Sequence, residues 1–184
     1  MISDKSFKLF YRRIIFPIDL DSKRLDDLKN KGLGWFNDVL HRPVESRTEL
    51  ETRILNAAIW IGNSPVERTE RGRFLKLCIA LESLFITREE FPYGATIGDR
   101  LAFLLGKKPA DRIEISHIVR KIYEIRSRVA HEGKPKHEGD LVKYMPYVFA
   151  YSNAAIYAIL NLVKNNNWKT FDEVRKHFEE LKFS

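Results

Sequence analysis

Arg126 sits where a cation needs a reason. Ile118, Ile122, Ile125 and Val129 recur at helical spacing and form one apolar stripe, which Ile115 and Val119 widen. At roughly 100° per residue, Arg126 projects between Ile115 and Val119, inside that face. A guanidinium in such a place must snorkel to water, pair with a carboxylate or line a cleft. An earlier segment carries a matching anomaly. Glu82 falls between a stripe of Phe74, Leu77, Cys78, Leu81, Leu84 and Phe85 and a second of Leu75, Ile79 and Ile86. A carboxylate among apolar positions needs a cation or several donors. The expectation is therefore that Glu82 and Arg126 approach each other. Two readings stand: a buried structural pair, which is the commoner use, or a pair in which Glu82 orients Arg126 towards a ligand.

His131 follows Arg126 by five residues, at the helix end before Glu132 and Gly133. Ideal geometry projects the two side chains roughly 140° apart, so they do not share a face unless the last turn frays. A histidine at a helix C-terminus is also an ordinary placement, because its charged form complements the macrodipole.

The whole string Tyr123-Glu-Ile-Arg126-Ser127-Arg-Val-Ala-His131 resembles the signature of the HEPN superfamily (higher eukaryotes and prokaryotes nucleotide-binding domains). That signature is an arginine, four to six residues, then a histidine, often with an acidic residue just upstream. Here the spacing is four, and Glu124 fills the acidic position. Phe74-Leu-Lys-Leu-Cys-Ile-Ala-Leu-Glu-Ser-Leu-Phe85 is similar to the family's earlier core helix. Ile97-Gly-Asp-Arg-Leu-Ala-Phe-Leu-Leu105 is similar to the connecting helix of the ApeA-like branch, which is linked to phage defence. The resemblance covers roughly Ser46 to Asn165, in the family's order.

What the resemblance implies is a metal-independent endoribonuclease that leaves 2′,3′-cyclic phosphate ends. RNA carries its own nucleophile, the 2′-hydroxyl. Arg126 would clamp the phosphate, since a guanidinium binds two oxygens and stays charged. His131 would act as base or acid, since histidine is the residue type suited to proton transfers near neutral pH. Glu124 or Glu82 would orient them, with Ser127 a further supporting residue inside the string. The implied partner is RNA or a nucleotide. The implied assembly is a homodimer, whose second histidine comes from the partner chain. No metal and no cofactor is implied. One departure is Gly133, which stands where toxin members of one subtype carry a tyrosine, so the modification seen in that subtype is not implied. Several members lack nuclease activity, so a non-catalytic module for nucleotide or RNA binding, or for dimerisation, is the alternative.

The elements that must position these groups are helices. The chain has 184 residues, 44% hydrophobic and 31% charged, which suits one compact domain with a short appendage and excludes disorder. The stretch from Tyr144 to Val163 is interrupted by Pro146, Ser152, Asn153 and Asn161, which fits a buried core helix better than a membrane span. Cys78 is the only cysteine and lies on an apolar face, so an inert core thiol in a cytoplasmic protein is expected. The net charge of +7 favours an anionic partner, although the basic residues are spread along the chain.

Residues 1–21 read as a short strand or extended arm, or as the remnant of an upstream domain of a larger defence protein; residues 22–184 read as the HEPN-like helical domain. A weak helix is expected over Ser22–Lys31, closed by Gly32-Leu33-Gly34, with Trp35 and Phe36 docking on the core. Ser46-Arg-Thr-Glu49 reads as a capping box for a helix to about Ile61, and Ser64-Pro-Val-Glu67 as the start of the next, to about Thr87. Phe91-Pro-Tyr-Gly94 reads as a turn. Further helices are expected from Thr96 to Leu105, from Pro109 to about Glu132, from Asp140 to about Asn165, and from Thr170-Phe-Asp-Glu173 to Leu181. The resulting fold class is all-α, an up-and-down helical bundle with short additional helices and a short N-terminal strand.

Other constellations are weaker. His41, His117, His137 and His177 show no metal spacing. Gly98 and Gly106 read as helix punctuation. Arg12-Arg13 and Lys134 with Lys136 read as exposed charges. Tyr144, Tyr147, Phe149, Tyr151 and Tyr157 read as packing, as do Trp35, Trp60 and Trp168.

Overall fold

The computed structural model describes residues 7–11, 14–18, 26–27, 32–87, 90–137 and 139–183. It divides into two compact units, 1–47 and 48–184, a division downstream of the 1–21 arm read from the sequence. In the first unit, β1 (Phe7–Tyr11) and β2 (Ile14–Ile18) pair antiparallel, with Phe7 opposite Ile18 and Tyr11 opposite Ile14. The single strand expected from the sequence is thus a hairpin. Pro17 sits in β2 opposite Lys8, which a two-stranded sheet tolerates because both strands are edges. The weak helix expected over Ser22–Lys31 lies outside the described residues except for Asp26 and Asp27, which are helical. Gly34 opens a helix instead of breaking one: α1 spans Gly34–His41, and Trp35 meets Phe36 edge to face at 5.1 Å.

The second unit is an all-α helical bundle of α2 (Glu49–Asn63), α3 (Glu70–Phe85), α4 (Tyr93–Leu105), α5 (Pro109–Glu132), α6 (Gly139–Asn166) and α7 (Phe171–Phe183). Helix α3 is central and packs on α2, α4, α5 and α6. Its predicted stripe of Phe74, Leu77, Cys78, Leu81, Leu84 and Phe85 is buried throughout. Each large apolar side chain sealed in this way contributes about 1.5–3 kcal/mol. Facing it are Ile54 of α2, Ile122 of α5 and Ala155 and Ile159 of α6, all buried. One face of α6 closes the bundle, although this helix is long and apolar enough to cross a membrane by length and composition. Its other face departs from the packing role expected of its aromatics: Tyr147, Phe149 and Tyr157 are exposed.

Two helix starts differ from the capping boxes expected. The box of α2 is Thr48 with Glu51, not Ser46 with Glu49: Glu51 N donates to Thr48 Oγ1 (3.2 Å) and Thr48 N to Glu51 Oε2 (2.8 Å). Glu49 instead pairs with Arg53 (2.9 Å) and accepts from Phe171 N (2.9 Å), which docks α7 on α2. Helix α3 begins at Glu70, capped by Thr69, because Ser64 turns back to Ile61 O (2.8 Å) and Glu67 pairs with Lys76 (2.8 Å). Helix α4 starts at Tyr93, three residues earlier than Thr96. Helix α5 has the predicted limits and ends on Gly133, whose φ of 71° suits a residue without Cβ. The last helix is capped as expected, with Glu173 accepting from Lys169 N and Thr170 N (both 2.8 Å).

Candidate phosphate-binding hollow between α4 and α5

Glu82 leaves α3 one turn before its end and meets Arg126 of α5. Arg126 Nε donates to Glu82 Oε1 (2.9 Å) and Nη2 to Oε2 (3.1 Å), a parallel double contact. The expected approach of these two residues is therefore present. The pair is not sealed: the side chains keep 26% and 16% of their surface accessible, so the guanidinium reaches solvent. Burial pushes the Glu82 carboxyl above its ordinary value, even though Arg126 pulls the other way. Burial works against the charged form of Arg126, but the Glu82 carboxylate outweighs it and raises the pKa. Tyr123 completes the underside. Its hydroxyl donates to Cys78 O (3.2 Å), it lies beside Glu82, and burial raises its pKa further.

Arg126 borders a hollow of about 470 Å³ that opens between the start of α4 and the outer face of α5. Ser127 and His131 border the same hollow, as do Phe91, Tyr93 and Arg120. The stripe that faces it runs through Arg120, Glu124, Ser127 and His131, residues that return to one side of the helix. Arg126 lies off that stripe, as the wheel reading predicts, and reaches the hollow from its edge by the length of its side chain. One chain therefore brings Arg126 and His131 to a common space without a second subunit. His131 is exposed in the last turn of α5, and no hydrogen bond engages its imidazole among the described residues. Glu124 also borders the hollow, but its ion pair is with Lys121 (2.9 Å) and not with Arg126 or His131.

The geometry depends on a close approach. A Cβ on Gly94 would stand 2.8 Å from Tyr123 Cβ, so the first turn of α4 lies directly on α5 only because residue 94 has no side chain. That first turn has no side-chain cap and opens on the hollow with its positive partial charge. At the other end, Arg71 of α3 donates to Gly133 O (2.6 Å) and fixes the tip of α5 beyond His131.

Residues without a role in the sequence reading hold this frame. Arg100 of α4 is buried and grips Glu90 with both nitrogens (Nη2 to Oε1 2.5 Å, Nη1 to Oε2 3.0 Å), while also donating to Phe85 O. Burial alone would raise the Glu90 carboxyl, but Arg100 and the Thr87 N–H together bring it down to about 2. Arg53 donates to Ser83 O (3.2 Å) and Ile86 O (3.0 Å) and lies over the Phe171 ring at 4.2 Å. Two arginines thus satisfy the carbonyls that end α3. The signal that singles out Arg126, a cation on an apolar face, also marks Arg100 between Ile97, Leu101 and Leu104. Phe91 and Tyr93 carry no such signal, since a Pro-Gly turn accounts for them.

No group of three or more His, Cys, Asp or Glu side chains that could hold a metal ion occurs among the described residues. The arrangement offers two arginines, an imidazole and a hydroxyl at one open concavity. It can take up an anion and move a proton beside it. No family model, curated protein or solved structure matches this chain.

Proposed function

We propose that this chain is a metal-independent endoribonuclease of the HEPN type, a cytoplasmic homodimer acting in phage defence or in toxin-like RNA cleavage. The observation that carries the reading is the shared hollow: Arg126, braced by Glu82, and His131 border one solvent-reached concavity. In the reaction, a base takes the proton of an RNA 2′-hydroxyl and the 2′-oxygen attacks the adjacent phosphorus. The P–O5′ bond breaks, and the departing 5′-oxygen receives a proton. His131 is the group suited to one of the two proton transfers. In a dimer, His131 of the second subunit supplies the other. Arg126 offers its edge to the charge that builds on phosphorus, with Arg120 beside it. Glu82 and Ser127 support the arginine and the rim, and Glu124 tunes the local charge.

One observation favours a second reading, a non-catalytic HEPN module that binds RNA or a nucleotide, or serves dimerisation. His131 is exposed and no hydrogen bond engages its imidazole among the described residues, so nothing there fixes its orientation or tautomer. The free Nη1 and Nη2 edge of Arg126 binds a phosphate with two nitrogens, but an imidazole without an orienting partner is poorly placed for proton transfer.

Incubation of the pure protein with labelled RNA in EDTA separates the readings. Cleavage that survives EDTA, leaves 2′,3′-cyclic phosphate ends and disappears in both Arg126→Ala and His131→Ala is the expected result. RNA binding with no cleavage by the wild-type chain would overturn the enzyme in favour of the module. Neither binding nor cleavage would leave the Glu82–Arg126 pair a purely structural one.

A further inference from the structure

Phe91 presents 84% of its surface to solvent at the rim of the hollow that Arg126 and His131 border. Its neighbour on that rim is Tyr93, with ring centroids 5.2 Å apart and planes tilted by 57°. The tilt leaves the broad face of Phe91 uncovered by its partner. Across the hollow stand Arg120, Arg126 and His131; Glu124 is the one carboxylate among the lining residues, while Glu82 holds one edge of Arg126 and Asp99 lies 3.7 Å from Arg120. One wall is therefore apolar and planar, and the other offers the free N–H donors of two guanidinium groups and an imidazole. A ligand that complements both must carry a flat π-system a short distance from an anionic group, and an unpaired nucleotide in a strand has that form.

We propose that Phe91, backed by Tyr93, is a stacking shelf for an unpaired base of single-stranded RNA, whose neighbouring phosphate lies against Arg120 and His131. The proposal rests on the RNA reading above and adds a residue that positions the strand. A base in a duplex has both faces covered by its neighbours and cannot use the shelf, so single strands, loops and bulges are selected over helices. Stacking accepts any base, so the shelf sets strandedness and not sequence. Phe91 buries little in the bundle, and its removal leaves the fold intact.

The test uses a short single-stranded RNA carrying 2-aminopurine, made with 2′-O-methyl sugars so that cleavage cannot intervene, and follows fluorescence and anisotropy. The wild-type chain should bind it and quench the 2-aminopurine, and should bind the matching duplex more weakly. Phe91→Ala should lose roughly ten- to a hundredfold in affinity and the quenching with it, with an unchanged melting temperature, while Phe91→Tyr restores both. The salt dependence of binding should be unchanged in Phe91→Ala and shallower in Arg120→Ala, since only the latter removes a phosphate contact. RNA binding that Phe91→Ala leaves intact overturns the shelf and spares the RNA reading. Failure of the wild-type chain to bind any RNA overturns that reading and the shelf together. Self-association that Phe91→Ala abolishes while RNA affinity stays unchanged assigns the ring to a second copy of this chain and also overturns the shelf.

Discussion

Glu82 and Arg126 are joined by two parallel contacts, 2.9 and 3.1 Å long, that tie the end of the central helix α3 to α5 beside an open hollow. Arg126→Ala strands a half-buried carboxylate and should cost roughly 2 kcal/mol, below the range for a fully sealed pair because solvent reaches both groups. Glu82→Leu with Arg126→Met should recover much of that loss. Urea unfolding of the single and double variants reads the coupling. A coupling of zero would mean the pair contributes nothing to the fold.

The two glutamate–arginine pairs should give opposite pH slopes. Glu90 is held at about 2, below its ordinary value of 4.5, so its stabilisation is full above pH 4.5 and is lost as pH falls towards 2. Glu82 is raised above 4.5, so its folded state binds the proton more readily than the unfolded chain. Its contribution therefore declines as pH rises from 4.5 through the folded pKa. Glu90→Gln should cost about 2 kcal/mol at neutral pH, after allowance for solvent screening, and almost nothing near pH 2. Unfolding midpoints measured across the acid range check this; a penalty independent of pH would refute it.

Gly94→Ala should destabilise the bundle by about 1–3 kcal/mol, because its new methyl meets Tyr123 Cβ and two helix backbones stand behind the clash. A thermal melt checks it. An unchanged melting temperature would show that α4 can lift from α5 without penalty, and with it the hollow would lose its fixed width.

Cys78 should resist thiol reagents in the folded protein. It is fully buried, and that burial raises its pKa well above the ordinary thiol value. Reaction with a disulfide reagent should be at least about a hundredfold slower than in denaturant, and should accelerate in step with unfolding. Native-state labelling at the rate of the unfolded chain would mean the core opens far more readily than its packing implies.

Much of this arrangement is legible in the sequence because it is local. The limits of α5, the Thr170–Glu173 cap and the buried stripe of α3 follow from spacing and capping chemistry alone. So does the approach of Glu82 to Arg126, since each is a charge on an apolar face with few ways to be satisfied. The misplaced starts have a different cause. Ser46 and Thr48 each have a glutamate three residues on, so both fit a capping box, and what decides between them is Glu49. Its oxygens are claimed by Arg53 and by Phe171 N, a partner 122 residues away that no local rule reveals. The rule that marks Arg126 marks Arg100 equally, a cation on the apolar face of Ile97, Leu101 and Leu104. The aromatic rim at Phe91 and Tyr93 was hidden because the same residues also spell a turn, and exposure is a property of the finished surface.

Helix α3 holds α5 by three polar contacts, through Arg71 at Gly133, Cys78 at Tyr123 and Glu82 at Arg126. Arg71 and Glu82 are eleven residues apart on α3, about 16 Å along its axis. Their partners Gly133 and Arg126 bracket the last two turns of α5, so rocking about either contact strains the other. A slip by one helical turn, about 5.4 Å, would have to break them in the same step. The span that carries Arg126, Ser127 and His131 is consequently pinned to α3 at both of its ends.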